Sequence, residues 1–272
     1  MTKICQPYTC LFDISREQVD GRTYNSYKQW LKKTIKLFPG IIVFCETVDK
    51  EFRKLDADFV TIELSQLETF KSVNKVHEVL GIFKPNSPED ITFRLPKYAL
   101  IQFSKFELAM FALSISESYS LLWVDAGISR FMSSSDINKL NTNAEFLLKK
   151  NYLTAFEIDL HRNINYQKLK VTKPTIGSSK RIISGTSFWI NSNIAPSLYY
   201  SIEKLMNLWL SKKIWDNEQV AMRYLFETEK YLGQTFFILQ MQQQTGSIAR
   251  KLTNFRIKDK KIQNKILYNL LR

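Results

Sequence analysis

Acidic residues end three of the strands that hydrophobic patterning predicts. Asp13, Glu46 and Asp125 each follow directly on a short apolar run. Ligands of open α/β sheets bind beyond the carboxyl ends of the strands, so we expect these carboxylates to gather at one edge. They would repel one another there unless a cation lay between them. A divalent metal that carries a diphosphate is one such cation, because Mg²⁺ prefers a few carboxylates together with phosphate oxygens.

Three basic residues, Arg16, Lys105 and Arg130, lie close in sequence to these acids or to the helices predicted after them. The guanidinium fork matches phosphate oxygens bidentately, which makes Arg16 and Arg130 the better phosphate candidates. Either arginine could instead pair with a neighbouring acid at the surface. Lys105 could also reach a diphosphate, but its place in the first turn of a predicted helix favours a solvated side chain.

The segment Trp123-Val124-Asp125-Ala126-Gly127 is the sharpest local signal in the chain. One carboxylate follows an apolar strand, and the small residue and the glycine after it let a bulky ligand approach the backbone. Asp-x-Gly is also a common turn sequence. Taken alone, the segment favours a turn over a binding site.

Strands and helices alternate along the chain, which predicts an α/β fold with a mixed, mostly parallel sheet flanked by helices. The continuously apolar runs at 41–45 and 121–124 predict strands covered on both faces. Ser104 and Glu107 form a capping-box pattern that predicts a helix start. The predicted strands are 8–12, 41–45, 58–64 and 121–124, and the predicted helices are 24–37, 104–116, 196–212 and about 216–227.

Composition limits the possible classes of function. The chain has 272 residues, 44% of them hydrophobic, enough for one large domain or two small ones. Its formal charge of +13 favours a polyanionic partner, such as nucleic acid, anionic lipid or a phosphorylated small molecule. The sequence has no G-x-x-x-x-G-K-[ST], G-x-G-x-x-G or G-x-S-x-G pattern, which argues against a P-loop enzyme, a dinucleotide-binding domain and an α/β-hydrolase.

Cysteine and histidine usage favours a reducing, cytoplasmic setting. Cys5, Cys10 and Cys45 are too few and too scattered for a disulfide framework or a zinc site, and the chain has two histidines. We expect neither a signal peptide nor a membrane-spanning helix, since no run of about 18 uninterrupted apolar residues occurs.

Several short motifs together resemble the HtrL/YibB-type (WlaTC-related) bacterial glycosyltransferase family. The resemblance is carried by Ser104-Lys105-Phe106, by the segment from Tyr119 to Arg130, and by Phe12-Asp13-Ile14-Ser15-Arg16. Ile41-Ile42-Val43-Phe44 with its following acid, Ile183-Ser184-Gly185-Thr186-Ser187-Phe188 and Asp216-Asn217-Glu218-Gln219 resemble further landmarks of that family. The similarity is spread over residues 8 to about 226.

The resemblance implies an A-type glycosyltransferase (GT-A) fold that uses a nucleotide-diphosphate sugar, with a UDP-sugar as the expected donor. Asp125 would correspond to the acid that binds the metal, Mn²⁺ or Mg²⁺, in the Asp-x-Asp motif of that fold. Gly127 occupies the position of the second acid, which argues against a strong dependence on the metal. The donor and its metal would be bound by Phe12, Asp13, Arg16, Glu46, Lys105, Asp125, Gly127 and Arg130.

Acceptor binding and catalysis are assigned through the same resemblance. It places the general base at Asp216, at a helix start, with Glu218 as a second acid; Asp216-x-x-Gln219 is equally a capping box. A turn formed by Ser184, Gly185, Thr186 and Ser187 would line the acceptor sugar. Phe188 or Trp189 would offer a stacking face, although buried packing is the commoner fate of an aromatic side chain.

The last residues differ in composition from the rest. We predict a glycosyltransferase-like catalytic domain over 1–245 and a basic amphipathic tail over 246–272. The tail either lies on an anionic membrane surface or packs its apolar stripe on the domain. A membrane position would place a cytoplasmic enzyme at the inner face of the membrane, near a lipopolysaccharide, lipooligosaccharide or capsule acceptor.

Two other functions compete with the transferase hypothesis. Charge and aromatic content are compatible with a non-enzymatic protein that binds nucleic acid. The sequence has no recognised nucleic-acid motif, so we expect no such partner. A degenerate transferase fold that acts as a scaffold is the other alternative.

Overall fold

Six strands and seven helices make up the described part of the chain. The computed structural model describes residues 4–130, 154–158, 176–177 and 183–228, together with Glu145, Leu148 and Lys149. The strands are β1 (Gln6–Leu11), β2 (Ile41–Cys45), β3 (Ala57–Thr61), β4 (Ser120–Val124), β5 (Thr154–Ile158) and β6 (Ile183–Asn191). The helices are α1 (Glu17–Asp20), α2 (Tyr24–Leu37), α3 (Val73–Ile82), α4 (Ile91–Arg94), α5 (Pro96–Ile115), α6 (Ala195–Ser211) and α7 (Glu218–Thr228). Short 3₁₀ segments are Phe52–Lys54, Leu64–Gln66, Glu68–Ser72 and Ile128–Arg130.

The strands form one sheet in the order β3-β2-β1-β4-β6-β5. Strands β3, β2, β1 and β4 pair in parallel, while β6 runs antiparallel to both of its neighbours, β4 and β5. Among the described strands, β6 is therefore the one that points the other way. The predicted fold class, α/β with a mixed, mostly parallel sheet between helices, is confirmed.

Alternate side chains of the central strands enter two separate hydrophobic clusters, one on each face of the sheet. Tyr8, Ile42 and Trp123 belong to the cluster that includes residues of α3, α5, α6 and α7. Val43 and Leu122 belong to the other cluster, which includes residues of α2. Every residue of β2 and β4 is buried, as the apolar runs predict for strands covered on both faces.

Helix α5 begins eight residues earlier than the capping-box pattern predicts. Pro96 is its first residue, a position where the fixed φ of proline suits a helix start. Ser104 lies inside the helix and donates to the carbonyl of Ile101 at 2.9 Å. Glu107 is buried and accepts from the backbone N–H groups of Glu68 and Thr69, at 2.7 and 3.0 Å. The predicted capping box is thus wrong, and Glu107 caps the 3₁₀ segment Glu68–Ser72.

Two further boundaries differ from the predictions. Strand β3 ends at Thr61, because Leu64 begins a 3₁₀ segment. Residues 184–187 do not form a turn but continue β6, whose Ser187 pairs with Val124 of β4. The small residues of this stretch indicated a turn locally, and pairing with strands on both sides overrides that preference.

Helix α5 is long and apolar enough, by length and composition alone, to cross a membrane, yet 61% of its most apolar window is buried inside the fold. It is tied to β1 by the Tyr8 hydroxyl, which donates to the Lys105 carbonyl at 3.1 Å. The helix is therefore a core element that lies against the sheet.

Replacing Glu107 by alanine should lower the free energy of unfolding by about 3 kcal/mol, because two backbone N–H groups and the Thr69 hydroxyl would lose a buried charged acceptor. Urea denaturation would measure the change. The matched control is Glu117→Ala at an exposed position, expected to cost less than about 0.5 kcal/mol. Equal losses from both variants would contradict a capping role for Glu107.

Candidate active site

A cavity of about 290 Å³ lies beyond the carboxyl ends of β1 and β4. This is the position where open α/β sheets bind ligands. Its lining comes from the loop after β1, from α2, from α5, from the loop after β4, from β6 and from the start of α7. Segments that are far apart in sequence therefore converge on one space.

The structure brings together most of the residues singled out from the sequence. The cavity lining contains Phe12, Asp13, Arg16, Lys105, Asp125, Gly127, Arg130, Gly185, Thr186 and Glu218. Glu46, Asp216 and Trp189 are not part of that lining. The side chain of Ser184 falls outside the described residues.

Lys105 lies at the centre of the polar contacts in this cavity. Its ammonium group donates to the carbonyl of Gly185 at 2.8 Å and to Glu218 Oε1 at 2.7 Å, and it is 3.4 Å from Asp125 Oδ1. The side chain is 6% exposed. The expectation of a solvated lysine is therefore wrong, because its three partners come from strand, loop and helix segments distant in sequence.

Opposing effects act on the charge of Lys105. Burial lowers the pKa of the ammonium, but the carboxylates of Asp125 and Glu218 outweigh burial and raise the pKa above its ordinary value. The ring of Trp123 lies beneath the ammonium, 5.2 Å from it, and adds a cation–π contact. The two carboxylates beside Lys105 thus favour its charged form.

Glu218 is the most buried carboxylate of the cavity lining. Its side chain is 1% exposed, and Oε1 is bound to Lys105. Oε2 is buried with no hydrogen-bond partner among the described residues. A Cβ atom added to Gly185 would overlap Glu218 Oε1, so a glycine at 185 is what leaves room for the carboxylate.

Asp125 differs from Glu218 in its exposure, since 38% of its side chain is accessible. Its Oδ1 accepts from the indole N–H of Trp123 at 3.0 Å and also faces Lys105. The backbone N–H of Asp125 donates to Thr186 on β6 at 2.8 Å. Asp125 is therefore held in place at the mouth of the cavity.

The loop after β1 turns sharply and directs Arg16 into the cavity. Ser15 has a φ of 58°, a left-handed conformation that is costly for a residue other than glycine. The side chain of Asp13 supports this turn by accepting from the Ser15 N–H at 3.0 Å. Arg16 then pairs with Asp20 at 2.7 Å and stacks over the ring of Tyr98 at 4.4 Å.

Three arginines line the same end of the cavity: Arg16, Arg22 and Arg130. Arg16 and Arg22 both approach the carboxylate of Asp20, at 2.7 and 3.7 Å. Burial lowers the pKa of Arg130, and the positive charges of Arg22 and Arg16 lower it further. Three guanidinium groups therefore share this end of the cavity with the Asp20 carboxylate, an arrangement that suits a multiply charged anion.

The space beside Gly127 is closely lined by two side chains. A Cβ there would come within 3.0 Å of a guanidinium nitrogen of Arg130 and within 3.3 Å of the Trp30 ring. Arg130 also donates to the Gly127 carbonyl at 3.0 Å and stacks on Trp30 at 4.1 Å. Where the resemblance expects a second acid, the structure holds a cationic group.

Three of the predicted site residues lie elsewhere, each for a physical reason. Glu46 follows β2, which β1 separates from β4, so its carboxylate is one strand farther from Asp125. Asp216 is fully buried and accepts from the backbone N–H groups of Gly177 and Asn217, at 2.6 and 2.8 Å. Trp189 is 1% exposed and belongs to the core cluster on the α2 face.

The cap of α7 also differs from its prediction. The Asn217 side chain accepts from the N–H groups of Gln219 and Val220, both at 3.1 Å. Asn217, and not Asp216, is therefore the N-cap of this helix. Glu218 follows directly as the first helical residue, where its side chain points into the cavity lining.

The donor set of the cavity does not fit a divalent metal. Among the described residues, no group of three or more His, Cys, Asp or Glu side chains is placed to hold an ion. Asp125, the predicted ligand, already faces the ammonium of Lys105. Metal coordination therefore stays a prediction from the resemblance.

Sequence reasoning missed several lining residues: Arg22, Tyr24, Tyr27, Tyr98 and Gln102. Burial raises the pKa of Tyr24 to about 12, and the negative charges around it, including Asp13 and Glu46, add to this effect. No local pattern distinguishes these residues from surface residues. Their role follows from the position of α2 against the loop after β1.

Comparison with known proteins gives two distant structural similarities. The glycosyltransferase GlyE of Streptococcus pneumoniae TIGR4 is 13% identical, with a TM-score of 0.44, over 88% of this chain and 46% of the GlyE chain. The 4-diphosphocytidyl-2C-methyl-D-erythritol synthase of Anaerococcus prevotii DSM 20548 is 11% identical, with a TM-score of 0.40, over 99% of this chain and 97% of that one. This chain thus spans less than half the length of GlyE. At such similarity neither structure assigns an activity.

No family model matches the chain, and a search of curated proteins gave no match. The resemblance to the HtrL/YibB-type family accordingly stays a prediction.

The contact between Lys105 and Glu218 predicts that a second substitution will restore stability that the first one removes. Lys105→Met should lower the free energy of unfolding by about 3–5 kcal/mol, because it leaves a buried carboxylate without its counter-ion. Adding Glu218→Gln to that variant should restore at least about 1 kcal/mol, since the leftover charge is removed. Denaturant unfolding of both single variants and the double variant measures the coupling. Strictly additive losses would show that the pair is not coupled.

Proposed function

We propose that this chain is a glycosyltransferase that moves a sugar from a nucleotide-diphosphate donor to a hydroxyl group. One observation carries the proposal. A cavity at the carboxyl ends of β1 and β4 combines a cluster of arginines with a buried carboxylate, Glu218, that has one oxygen without a partner among the described residues.

The arginine end of the cavity supplies what a diphosphate needs. Guanidinium groups bind phosphate oxygens bidentately, and partial burial strengthens such contacts. The rings of Tyr24 and Tyr27 line the same cavity and offer surfaces for a nucleobase. Charge and aromatic lining together favour a nucleotide over inorganic phosphate alone.

Glu218 replaces Asp216 as the proposed general base. Its Oε2 would take the proton of the acceptor hydroxyl while that oxygen forms a bond to the anomeric carbon of the donor sugar. The bond between that carbon and the diphosphate oxygen breaks, and the diphosphate leaves with the electron pair. Arg16, Arg22 and Arg130 would stabilise the negative charge that develops on it.

Asp125 and Lys105 would hold Glu218 in position. They would not themselves accept the proton of the acceptor hydroxyl. Lys105 holds Glu218 Oε1, so we assign the proton transfer to Oε2, which is buried and has no hydrogen-bond partner among the described residues. Gly185 and Thr186 line the cavity beside Glu218, so we assign them to the acceptor side.

The finer assignments are also part of the proposal. We propose hexosyl transfer from a UDP-sugar to a hydroxyl of a bacterial surface glycan, with the enzyme in the cytoplasm. The tail over 246–272, which lies outside the described residues, would hold it at the inner face of the membrane by its basic charge.

A panel of nucleotides tests the donor class. UDP, GDP, CDP and dTDP, each with a matched nucleotide sugar, should include at least one pair that raises the melting temperature, because ligands that bind the native state stabilise it. Random duplex DNA at near-physiological salt serves as the control polyanion. Stabilisation by DNA and by no nucleotide would favour the nucleic-acid alternative instead.

Replacing Glu218 by glutamine should lower the rate of donor turnover by about 100-fold or more, since an amide cannot accept the proton. Affinity for the nucleotide should stay within about threefold, because glutamine keeps the shape and an acceptor for Lys105. Glu117→Gln, at an exposed position, is the matched control for turnover. Normal turnover in Glu218→Gln would remove this residue from the mechanism.

A further inference from the structure

We propose that this site binds the diphosphate of its donor without a divalent cation, because protein-borne cations stand where the metal and its ligands would be. The inference rests on the proposed function, since it concerns the same cavity. It goes beyond that function by removing the metal that the resemblance implies, so that Arg16, Arg22 and Arg130 alone neutralise the phosphates.

The space between the two carboxylates is already occupied by a cation. Lys105 contacts Glu218 Oε1 at 2.7 Å, Asp125 Oδ1 at 3.4 Å and the Gly185 carbonyl at 2.8 Å. Two of the three ammonium donors form hydrogen bonds to Gly185 and Glu218, and the contact with Asp125 is an ion pair. A metal bound to the same oxygens would lie against a buried like charge.

The Asp125 oxygen that faces Lys105, Oδ1, already has two partners and is poorly placed to bind a metal as well. It also accepts from the Trp123 indole N–H at 3.0 Å. Divalent Mg²⁺ needs near-ideal octahedral geometry and Mn²⁺ prefers several oxygen ligands. Such an ion is usually held by one or two carboxylates together with phosphate oxygens and water, and Asp125, the carboxylate that the resemblance assigns to it, is already paired with Lys105.

Where the Asp-x-Asp motif would have its second acid, this chain has Gly127, and the guanidinium group of Arg130 lies beside it. Gly127 has no side chain, and a Cβ there would meet Arg130 Nη2 at 3.0 Å and Nε at 3.1 Å. Arg130 is fixed in that place by its bond to the Gly127 carbonyl and by the Trp30 ring. The loop after β4 therefore presents a guanidinium beside Asp125.

The three arginines together match the charge of a diphosphate. Arg16 and Arg22 share the Asp20 carboxylate, which leaves their combined charge positive, and Arg130 lies close enough for both to act on it. Rigid forks of this kind replace a metal as the binder of phosphate oxygens. The tyrosine rings that flank Arg16 hold its plane in a fixed orientation.

Titration calorimetry of the full chain tests the inference with two probes, UDP and inorganic pyrophosphate. Each is titrated in EDTA and again with Mn²⁺ in place of EDTA. We expect at least one probe to bind, with dissociation constants that agree within about twofold between the two conditions. Arg130→Gln should weaken binding in EDTA by about tenfold or more, while Arg53→Gln, at an exposed site outside the cavity, should leave it unchanged.

The outcomes separate the two proposals. Binding that requires Mn²⁺ overturns the metal-free inference and leaves the transferase proposal standing. Pyrophosphate binding in EDTA, with no nucleotide binding more tightly, supports the anion site and contradicts the transferase proposal. Absence of binding of either probe in both conditions overturns the metal-free inference and the UDP donor, and the panel of four nucleotides then decides the transferase proposal.

Mn²⁺ alone gives an independent readout that needs no substrate. Electron paramagnetic resonance measures how much Mn²⁺ stays free as the aqua ion when the chain is added. We expect the same amount of free Mn²⁺ with the unaltered chain and with the Asp125→Asn variant. Loss of a bound Mn²⁺ in that variant would overturn the inference directly.

Discussion

A buried ammonium group joins the parts of the chain that form the cavity. Lys105 belongs to α5, and its partners belong to β6, to the start of α7 and to the loop after β4. Removing such charges from water is costly, and the attraction between them compensates only when the geometry is close. The two carboxylates and the Gly185 carbonyl must therefore be delivered by rigid elements. The tight packing of α5, α6 and α7 on one face of the sheet provides that rigidity.

The sequence predicts the bounds of an element correctly where capping or helix-ending residues stand at its ends. Helix α2 is bounded as predicted, since Thr23 caps its start and Pro39-Gly40 follows its end. Strands β2 and β4 followed from their continuous apolar runs. The start of α5 was missed because Ser104 and Glu107 imitate a cap inside a helix that Pro96 begins. Residues 184–187 were taken for a turn because strand pairing, which decides their conformation, is not visible in a short window.

The sequence predicts which residues lie at the site better than it predicts what each of them does there. Acids after β1 and β4 meet at one edge because parallel strands end there together, which the sequence could indicate. The burial of Lys105 could not be predicted, since its closest carboxylate is 113 residues away. The exchange between Asp216 and Glu218 has a similar cause. Which of two neighbouring acids faces the cavity depends on the cap at Asn217, and that cap sets the first turn of α7.

Gly185 shows how narrowly the sequence is constrained around this arrangement. Any other amino acid at 185 brings at least one carbon atom into the volume of the Glu218 carboxylate. The displaced carboxylate would have to leave Lys105 or push α7 away from β6. The added carbon would also come within 2.8 Å of the Gln219 amide nitrogen, so a smaller side chain at 218 alone would not make room for it. Residues 185, 218 and 219 thus constrain one another, and a larger side chain at 185 requires changes at both of the others.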